Sequence, residues 1–215
     1  MRREYHYFYV NLQSMDAQIN NINVEWSKNI ILVDADYIDK VVFNLTVYFE
    51  NEIGRRLPRA NLARWLDCVA LDGGIREGNE KNQVIFVHGK DKNNMENFNP
   101  SNYEKELNGM AFKDHLGEFM LSSFPIEDIV DGVDFFVDIL QNVCKQPNVK
   151  RVMVIPNAES EEIYESIRNT LHFVEDDSKR ITVFTMQPML GGNFRQEILG
   201  YSVLKALGIK SEEIK

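Results

Sequence analysis

The amino-acid sequence predicts an α/β fold in three layers, with helices on both faces of a mostly parallel central sheet of about five strands. Two observations lead to this prediction. Short and fully apolar runs, typical of strands buried on both faces, recur along the chain. Between them lie longer segments whose apolar residues recur every three or four positions, which is typical of helices. Strands that alternate with helices form parallel sheets, because each helix returns the chain across one face of the sheet.

The elements follow one another in a regular order. The predicted strands are Ile30 to Val33, Val84 to Val87, Phe119 to Phe124, Val152 to Ile155 and Ile181 to Phe184. Helices are predicted at 36–53, 58–71, 126–143, 160–171 and 194–207. The Asn-rich stretch 90–108 is predicted to be a long surface loop.

The chain is predicted to form one domain with a short extension. Its 215 residues are within the range that a single hydrophobic core organises. Residues 29–215 contain the whole alternating pattern and are assigned to the α/β domain. Residues 1–28, with a mixed aromatic strand predicted at Tyr5 to Leu12, are assigned to an amino-terminal extension that packs on the domain.

Composition limits the classes of function. The formal net charge of −9 disfavours a general affinity for nucleic acid, because long nucleic acids are normally held by a basic surface. No apolar stretch approaches the roughly 20 residues that span a bilayer, so no membrane partner is expected. Cys68 and Cys144 lie in apolar helical patterns, which favours reduced, buried thiols and a cytoplasmic location.

Acidic and amide side chains lie at or beside predicted strand ends. Asp34 ends the first apolar strand, and Asp36 follows two residues later. Asn157 and Glu159 follow the fourth strand, whereas Asp134 lies in the third helical segment, on one stripe with Asp131 and Asp138. Because carboxylates brought together repel one another, such a cluster needs a proton or a cation. Hard cations take oxygen ligands, so Mg²⁺ or Mn²⁺ is the predicted occupant.

A purely structural role is the alternative for each of these acids. Asp36 would then cap a helix, and Glu159 would complement a helix dipole. Asp131 and Asp138 would lie on a solvated helix face. Asp34 fits this alternative least well, because a single acid at the end of an all-apolar strand has no evident structural use.

Three motifs together resemble the NYN branch of the PIN-like nuclease superfamily. They are Ile31-Leu32-Val33-Asp34-Ala35-Asp36, Gly132-Val133-Asp134 and Val152-Met153-Val154-Ile155-Pro156-Asn157-Ala158-Glu159. The order and approximate spacing match over about residues 29 to 187. The resemblance implies a PIN-like fold and a metal-dependent ribonuclease ancestry. It also implies Asp34 and Asp134 as the catalytic, metal-coordinating acids, with Asp36 as an accessory ligand.

The chain departs from that family at two of the three motifs. Asp131 replaces the family's Lys before the Gly, and Asn157 replaces an acid, with Glu159 as a conservative partner. An Asn carbonyl can coordinate a metal but adds no negative charge. Three functions therefore stay open: a Mg²⁺- or Mn²⁺-dependent ribonuclease with an altered site, a catalytically inactive module that binds RNA or another partner, and a haloacid-dehalogenase-like phosphatase with Asp34 as nucleophile.

One basic cluster and the two chain ends are candidate interaction sites. Arg55 and Arg56 lie between the first and second predicted helices, and Arg59 lies at the start of the second. All three could contact RNA phosphates. The alternative for them is a solvated helix entrance. The amino-terminal strand and the last helix could mediate homo-oligomer formation.

Overall fold

The sheet is organised around one buried central strand. In the computed structural model, which describes residues 26–126, 132–174, 176 and 178–214, β1 (Asn29–Asp34) is this strand. It pairs in parallel with β3 (Lys81–Gly89) on one side and with β7 (Arg151–Ile155) on the other. The four residues from Ile30 to Val33 are completely buried, as expected for a strand covered on both faces.

Seven strands form this sheet, in the order β5-β6-β3-β1-β7-β8-β9. The outer strands are β5 (Ala111–Asp114), β6 (Gly117–Ile126), β8 (Arg180–Thr185) and β9 (Arg195–Ile198). Only β5 is antiparallel to its neighbour. The predicted α/β class and mostly parallel sheet are confirmed, but the sheet has two more strands than expected. β5 and β9 were missed because they are half-exposed edge strands without an apolar run.

Helices cover both faces of the sheet. One face is covered by α1 (Ala35–Ile53), α2 (Leu62–Asp72) and α5 (Leu199–Ala206), and the other by α3 (Gly132–Lys145) and α4 (Glu161–His172). The residues of β1 divide between two hydrophobic cores: Ile31 and Val33 face α1, and Ile30 and Leu32 face α3. This alternation follows from the twofold period of a strand.

Three helix starts differ from the sequence prediction. The helix predicted from residue 58 begins at Leu62, because Ala60–Asn61 form a short strand. The helix predicted from residue 126 begins, within the described residues, at Gly132, because the strand β6 extends to Ile126. The last helix begins at Leu199, since Arg195–Ile198 pairs with β8 as a strand. A polar strand followed directly by a helix has no change in apolar spacing that would mark the boundary.

The stretch 90–108 is a packed segment, which corrects the prediction of an open surface loop. Within it, β4 (Phe98–Asn99) pairs with β2 (Ala60–Asn61), and Tyr103–Leu107 form one π-helical turn. The segment buries Met95, Phe98, Tyr103 and Leu107 in the core below α1. Asp39 of α1 holds it in place by accepting hydrogen bonds from the backbone of Glu96 and Asn97.

The described residues include no helix that is long and apolar enough to cross a membrane. The strand predicted at Tyr5 to Leu12, and with it most of the predicted extension 1–28, lies outside the described residues.

Candidate functional site

Asp34 lies where the central strand ends and α1 begins. Its Oδ1 accepts a hydrogen bond of 2.9 Å from the backbone N–H of Tyr37, so Asp34 is the N-cap of the helix. Burial, reinforced by the charge of Asp36, raises the pKa of the Asp34 carboxyl to about 6, although the bond from Tyr37 opposes this. Asp34 therefore changes charge near neutral pH.

Asp36 links the start of α1 to the neighbouring strand. Its Oδ2 accepts a hydrogen bond of 2.8 Å from the backbone N–H of Gly89, the last residue of β3. The alternative that Asp36 caps the helix is wrong, since Asp34 occupies that position. The expectation that Asp34 has no structural use is also wrong, because Asp34 is this cap. Asp34 and Asp36 are thus both held at the carboxyl ends of adjacent strands.

Two buried tyrosines lie beside these acids. The hydroxyls of Tyr37 and Tyr103 are buried, and neither has a hydrogen-bond partner among the described residues. Burial raises the pKa of Tyr37, and the charges of Glu159 and Asp34 raise it further. The pKa of Tyr103 is raised by burial and by Asp36, Asp39 and Asp34. Both phenols therefore lie close to the acidic group, and the charge of Asp34 acts on both.

His88 adds a neutral ring to the same region. Its ring stacks on that of Tyr103, with centroids 3.7 Å apart and an angle of 3° between the planes. The Nδ1 atom lies 2.9 Å from the carbonyl oxygen of Gly89, so Nδ1–H is the donor of this hydrogen bond. Burial lowers the pKa of His88, which keeps the imidazole uncharged at neutral pH.

The segment after β7 provides the remaining residues of the predicted third motif. Pro156 and Ala158 are buried, Asn157 is half-buried, and the side chain of Glu159 is exposed. Ser160 then caps α4 through its contact with the backbone N–H of Ile163. Glu159 is close enough to Tyr37 for its charge to act on the phenol.

Asp134 is less closely associated with this group. It lies in the first turn of α3, which follows the carboxyl end of β6, and its side chain is exposed. It is not among the groups that govern the pKa of Asp34. Asp138 is exposed on the same helix, and Asp131 lies outside the described residues. The structure therefore gathers Asp34, Asp36 and Glu159 beside Tyr37 and Tyr103, with Asp134 at the same edge of the sheet but outside the group.

No group of three or more His, Cys, Asp or Glu residues in the described part of the chain is placed to hold a metal ion. A closed structural site of the zinc type, which needs four such ligands, is therefore not formed by these residues. The oxygen atoms of the group around Asp34 belong mainly to carboxylates, which are ligands that suit Mg²⁺ and Mn²⁺.

The predicted RNA-contacting arginines lie in two places. Arg55 and Arg56 follow α1 and form ion pairs with Glu213 and Glu50. With 19 residues, α1 is about 28 Å long, so both arginines are remote from Asp34. Arg59 is exposed and immediately precedes Ala60, whose N–H donates to Asn97 in the segment held by Asp39.

A cleft opens next to the acidic group, at the carboxyl ends of β7 and β8. It has a volume of about 240 Å³ and is lined by Tyr37, Ala158, Glu159, Thr185, Met186, Gln187 and Met189. We call it the β7–β8 cleft. Its methionines belong to the segment that connects β8 to β9.

Sequence reasoning missed the two tyrosines. Tyr37 has a weak signal, because it directly follows the Asp-x-Asp motif and its N–H is the donor to Asp34. Tyr103 has none, because it lies in a polar stretch more than 60 residues from that motif and approaches only through folding.

Comparison with known proteins identifies the family of the chain. No curated protein and no solved structure matches it. Residues 23–214, nearly the whole chain, match the model of a family of unknown function, DUF6621. The chain therefore belongs to this family of unknown function.

Proposed function

We propose that the protein is a Mg²⁺- or Mn²⁺-dependent ribonuclease with a PIN-like fold and an altered acidic site. One observation supports this most strongly. The carboxyl of Asp34 lies, largely buried, at the end of the central strand, with Asp36 next to it and its pKa raised to about 6. Perturbed acids at such positions are typical of functional sites.

The strand order supports the position of the site. Without the antiparallel edge strand, the order β6-β3-β1-β7-β8-β9 is that of a doubly wound sheet. In such sheets ligands bind at the carboxyl ends of the strands where the order reverses, which here is between β1 and β7. Asp34 follows β1, and Asn157 and Glu159 follow β7, so two of the three motifs of the proposed nuclease border this point. The motif with Asp134 follows β6, two strands away.

The residues present suit Mg²⁺, because this ion does not need a preformed cage of protein ligands. Mg²⁺ commonly binds one or two carboxylates and keeps several waters or substrate phosphates. Asp34 and Asp36 would supply the carboxylates, and Asn157 a further oxygen. Asp134 and Glu159 form no three-ligand metal group with them among the described residues, so waters or substrate phosphates would complete the coordination. A bound cation would activate water and stabilise charge on the phosphate. It would also offset the repulsion that raises the pKa of Asp34.

Cleavage of a fluorescent single-stranded RNA in Mn²⁺ tests this proposal. The Asp34→Asn variant keeps a good N-cap and should remain folded, but should lose about two orders of magnitude in rate. Asp134→Asn should also lose activity. Asp138→Asn, one turn further along α3 and exposed, is the matched control and should cleave like the wild type. Equal rates in all four proteins would identify a contaminating nuclease and refute the proposal.

A catalytically inactive module that binds RNA or protein is the second candidate. It is favoured by Asn157 in place of an acid and by the lack of a three-ligand metal group among the described residues. Thermal unfolding with millimolar Mn²⁺ separates the two candidates, since only a metal enzyme should be stabilised. Light scattering on the same samples tests the proposed homo-oligomer, which the exposed Phe43, Val47 and Tyr48 of α1 support.

A further inference from the structure

The buried Tyr37 hydroxyl at the β7–β8 cleft has no partner. Tyr37 is only 3% exposed and lines the cleft. Its hydroxyl meets no described residue in hydrogen-bond geometry, although the Glu159 carboxylate lies close enough to interact with it. A buried polar group without a partner is costly and rare in folded proteins, and each case calls for an explanation. A ligand in the cleft that accepts a hydrogen bond from this hydroxyl would supply one.

The walls of the cleft suit a flat, mostly uncharged group. Met186, Met189 and Ala158 provide an apolar lining, and methionine sulfur packs well against aromatic rings. Glu159 provides an exposed hydrogen-bond acceptor at the same wall as Tyr37. The negative charge of Asp34 and Glu159 disfavours a phosphate inside the cleft. The cleft therefore favours a neutral ring that has both hydrogen-bond donors and acceptors on its edge.

Hydrogen bonds from β9 and α4 hold the chain segment that forms one wall of the cleft. The side chain of Gln196 in β9 accepts a hydrogen bond of 3.0 Å from the N–H of Met189 and donates one of 3.0 Å to its carbonyl oxygen. The hydroxyl of Tyr164 in α4 donates to the carbonyl oxygen of Leu190 at 3.4 Å. These bonds order the wall before a ligand arrives, which reduces the entropic cost of binding.

We propose that the β7–β8 cleft binds one unpaired nucleobase of the RNA, with the Tyr37 hydroxyl donating to a base acceptor and the Glu159 carboxylate accepting from a base N–H. This inference deepens the proposed ribonuclease function and rests on it for the identity of the polymer. The volume of about 240 Å³ lies below the roughly 300–1,000 Å³ of sites for drug-sized ligands, so the cleft suits a small group such as one base. The phosphate next to the bound base would then lie towards Asp34.

Methyl NMR of the methionines tests the inference without any catalysis. In the presence of EDTA, adenosine and cytidine are titrated into protein with labelled methionine methyl groups, assigned by Met→Leu variants. A base in the cleft shifts the methyl signals of Met186 and Met189 through its ring current. Met110, half-exposed beside β5, is the internal control and should not shift.

The Tyr37→Phe variant tests the hydrogen bond itself. It should bind the nucleosides about tenfold more weakly and melt no lower than the wild type, because the hydroxyl it removes has no partner. Tyr201→Phe, an exposed tyrosine of α5, is the matched control and should bind normally. Absence of a methyl shift at millimolar nucleoside, or undiminished binding by Tyr37→Phe, would overturn the inference.

The two proposals fail separately. Nucleoside binding needs neither metal nor the charge of Asp34, so it should persist in Asp34→Asn. Binding without RNA cleavage would refute the ribonuclease and leave the base site standing. Cleavage that depends on Asp34, without methyl shifts, would refute the base site alone.

Discussion

Asp34 combines a structural role with an electrostatic cost. As the N-cap of α1 it satisfies the backbone N–H of Tyr37, but burial and the charge of Asp36 penalise its ionised form. Its pKa rises from 3.8 to about 6, so the folded protein holds this proton more tightly than the unfolded chain does. The stabilisation is fully present below the unfolded pKa and is lost as the pH rises through about 6.

The Asp34→Asn variant should therefore be more stable than the wild type at neutral pH. The pKa shift corresponds to about 3 kcal/mol of stabilisation of the folded protein. About 2 kcal/mol of this is lost between about pH 4.5 and about pH 7.5. Asn keeps the cap and has no proton to lose. Urea denaturation at both pH values measures the difference. If the gap in free energy of unfolding between the two proteins is the same at both values, the burial argument is wrong.

The sequence pointed to the acids of the candidate site but not to its uncharged members. Asp34 and Asp36 are recognisable because charged residues rarely follow a fully apolar strand. Tyr37 and Tyr103 are amphipathic, so each is consistent with ordinary core packing. Whether their hydroxyls find a partner is decided by contacts between segments that are distant in sequence. A local sequence pattern does not predict such contacts.

A pair of acids joins α2 to the edge strand β5. The carboxyls of Asp67 and Asp114 lie close enough to interact, and each has one buried oxygen without a hydrogen-bond partner among the described residues. A proton on one of the two carboxyls would join these oxygens in a hydrogen bond. Burial, followed by the effects of Asp114, raises the pKa of Asp67 to about 7, whereas Arg64 opposes the shift. The other oxygen of Asp114 accepts a hydrogen bond of 2.7 Å from the N–H of Leu116. The stabilisation from this pair is present at acid pH and is lost as the pH rises through about 7.

The Asp114→Asn variant should remove this loss. An Asn at position 114 can still accept from Leu116 through its oxygen and can donate to Asp67 through its amide, so no proton is required. Thermal melting should show little change at about pH 5 and a higher melting temperature than the wild type at about pH 8.5. Asp67→Asn is the reciprocal variant and should behave alike. A drop of equal size at both pH values would show that the pair does not share a proton.

Two glycines with a positive φ, one at the end of α1 and one at the start of β6, differ in the space around them. Gly54 terminates α1 at a φ of +72°, and an added methyl group would meet no atom within 4 Å. Gly117 begins β6 at a φ of +121°, where an added Cβ would lie 2.1 Å from the carbonyl oxygen of Glu80. Gly54→Ala should cost about 1 kcal/mol from backbone strain alone, whereas Gly117→Ala should cost more than about 3 kcal/mol. Chemical denaturation of both variants measures this order, and equal losses would contradict it.

The elements that the sequence predicted well are those with a strong apolar pattern. The central strands β1, β3 and β7 each contain an uninterrupted apolar run, and this run marks their positions in the sequence. The edge strands β5 and β9 are half exposed, and the two-residue strands β2 and β4 are too short to have a period. These elements form because a neighbouring backbone offers hydrogen bonds, which is a property of the tertiary fold.

At the scale of the whole molecule, the net charge and the positions of the arginines together determine where RNA could bind. A chain of net charge −9 repels a polyanion, so any binding must come from a local basic group or from bound cations. Of the three candidate arginines, Arg55 and Arg56 are paired with glutamates near the far end of α1. Arg59 lies on the chain segment that returns towards the carboxyl ends of the strands.

Arg59→Ala should therefore weaken binding of single-stranded RNA more than Arg56→Ala. Loss of one phosphate contact should reduce the slope of log affinity against log salt concentration by about 0.7. Arg56→Ala should leave slope and affinity within about twofold of the wild type, because its side chain is exposed and paired with Glu50. Fluorescence anisotropy in Mg²⁺ at several salt concentrations, with the Asp34→Asn protein to prevent cleavage, measures both quantities. A larger effect of Arg56→Ala would place the RNA at the opposite end of the sheet, away from the acids and from the β7–β8 cleft.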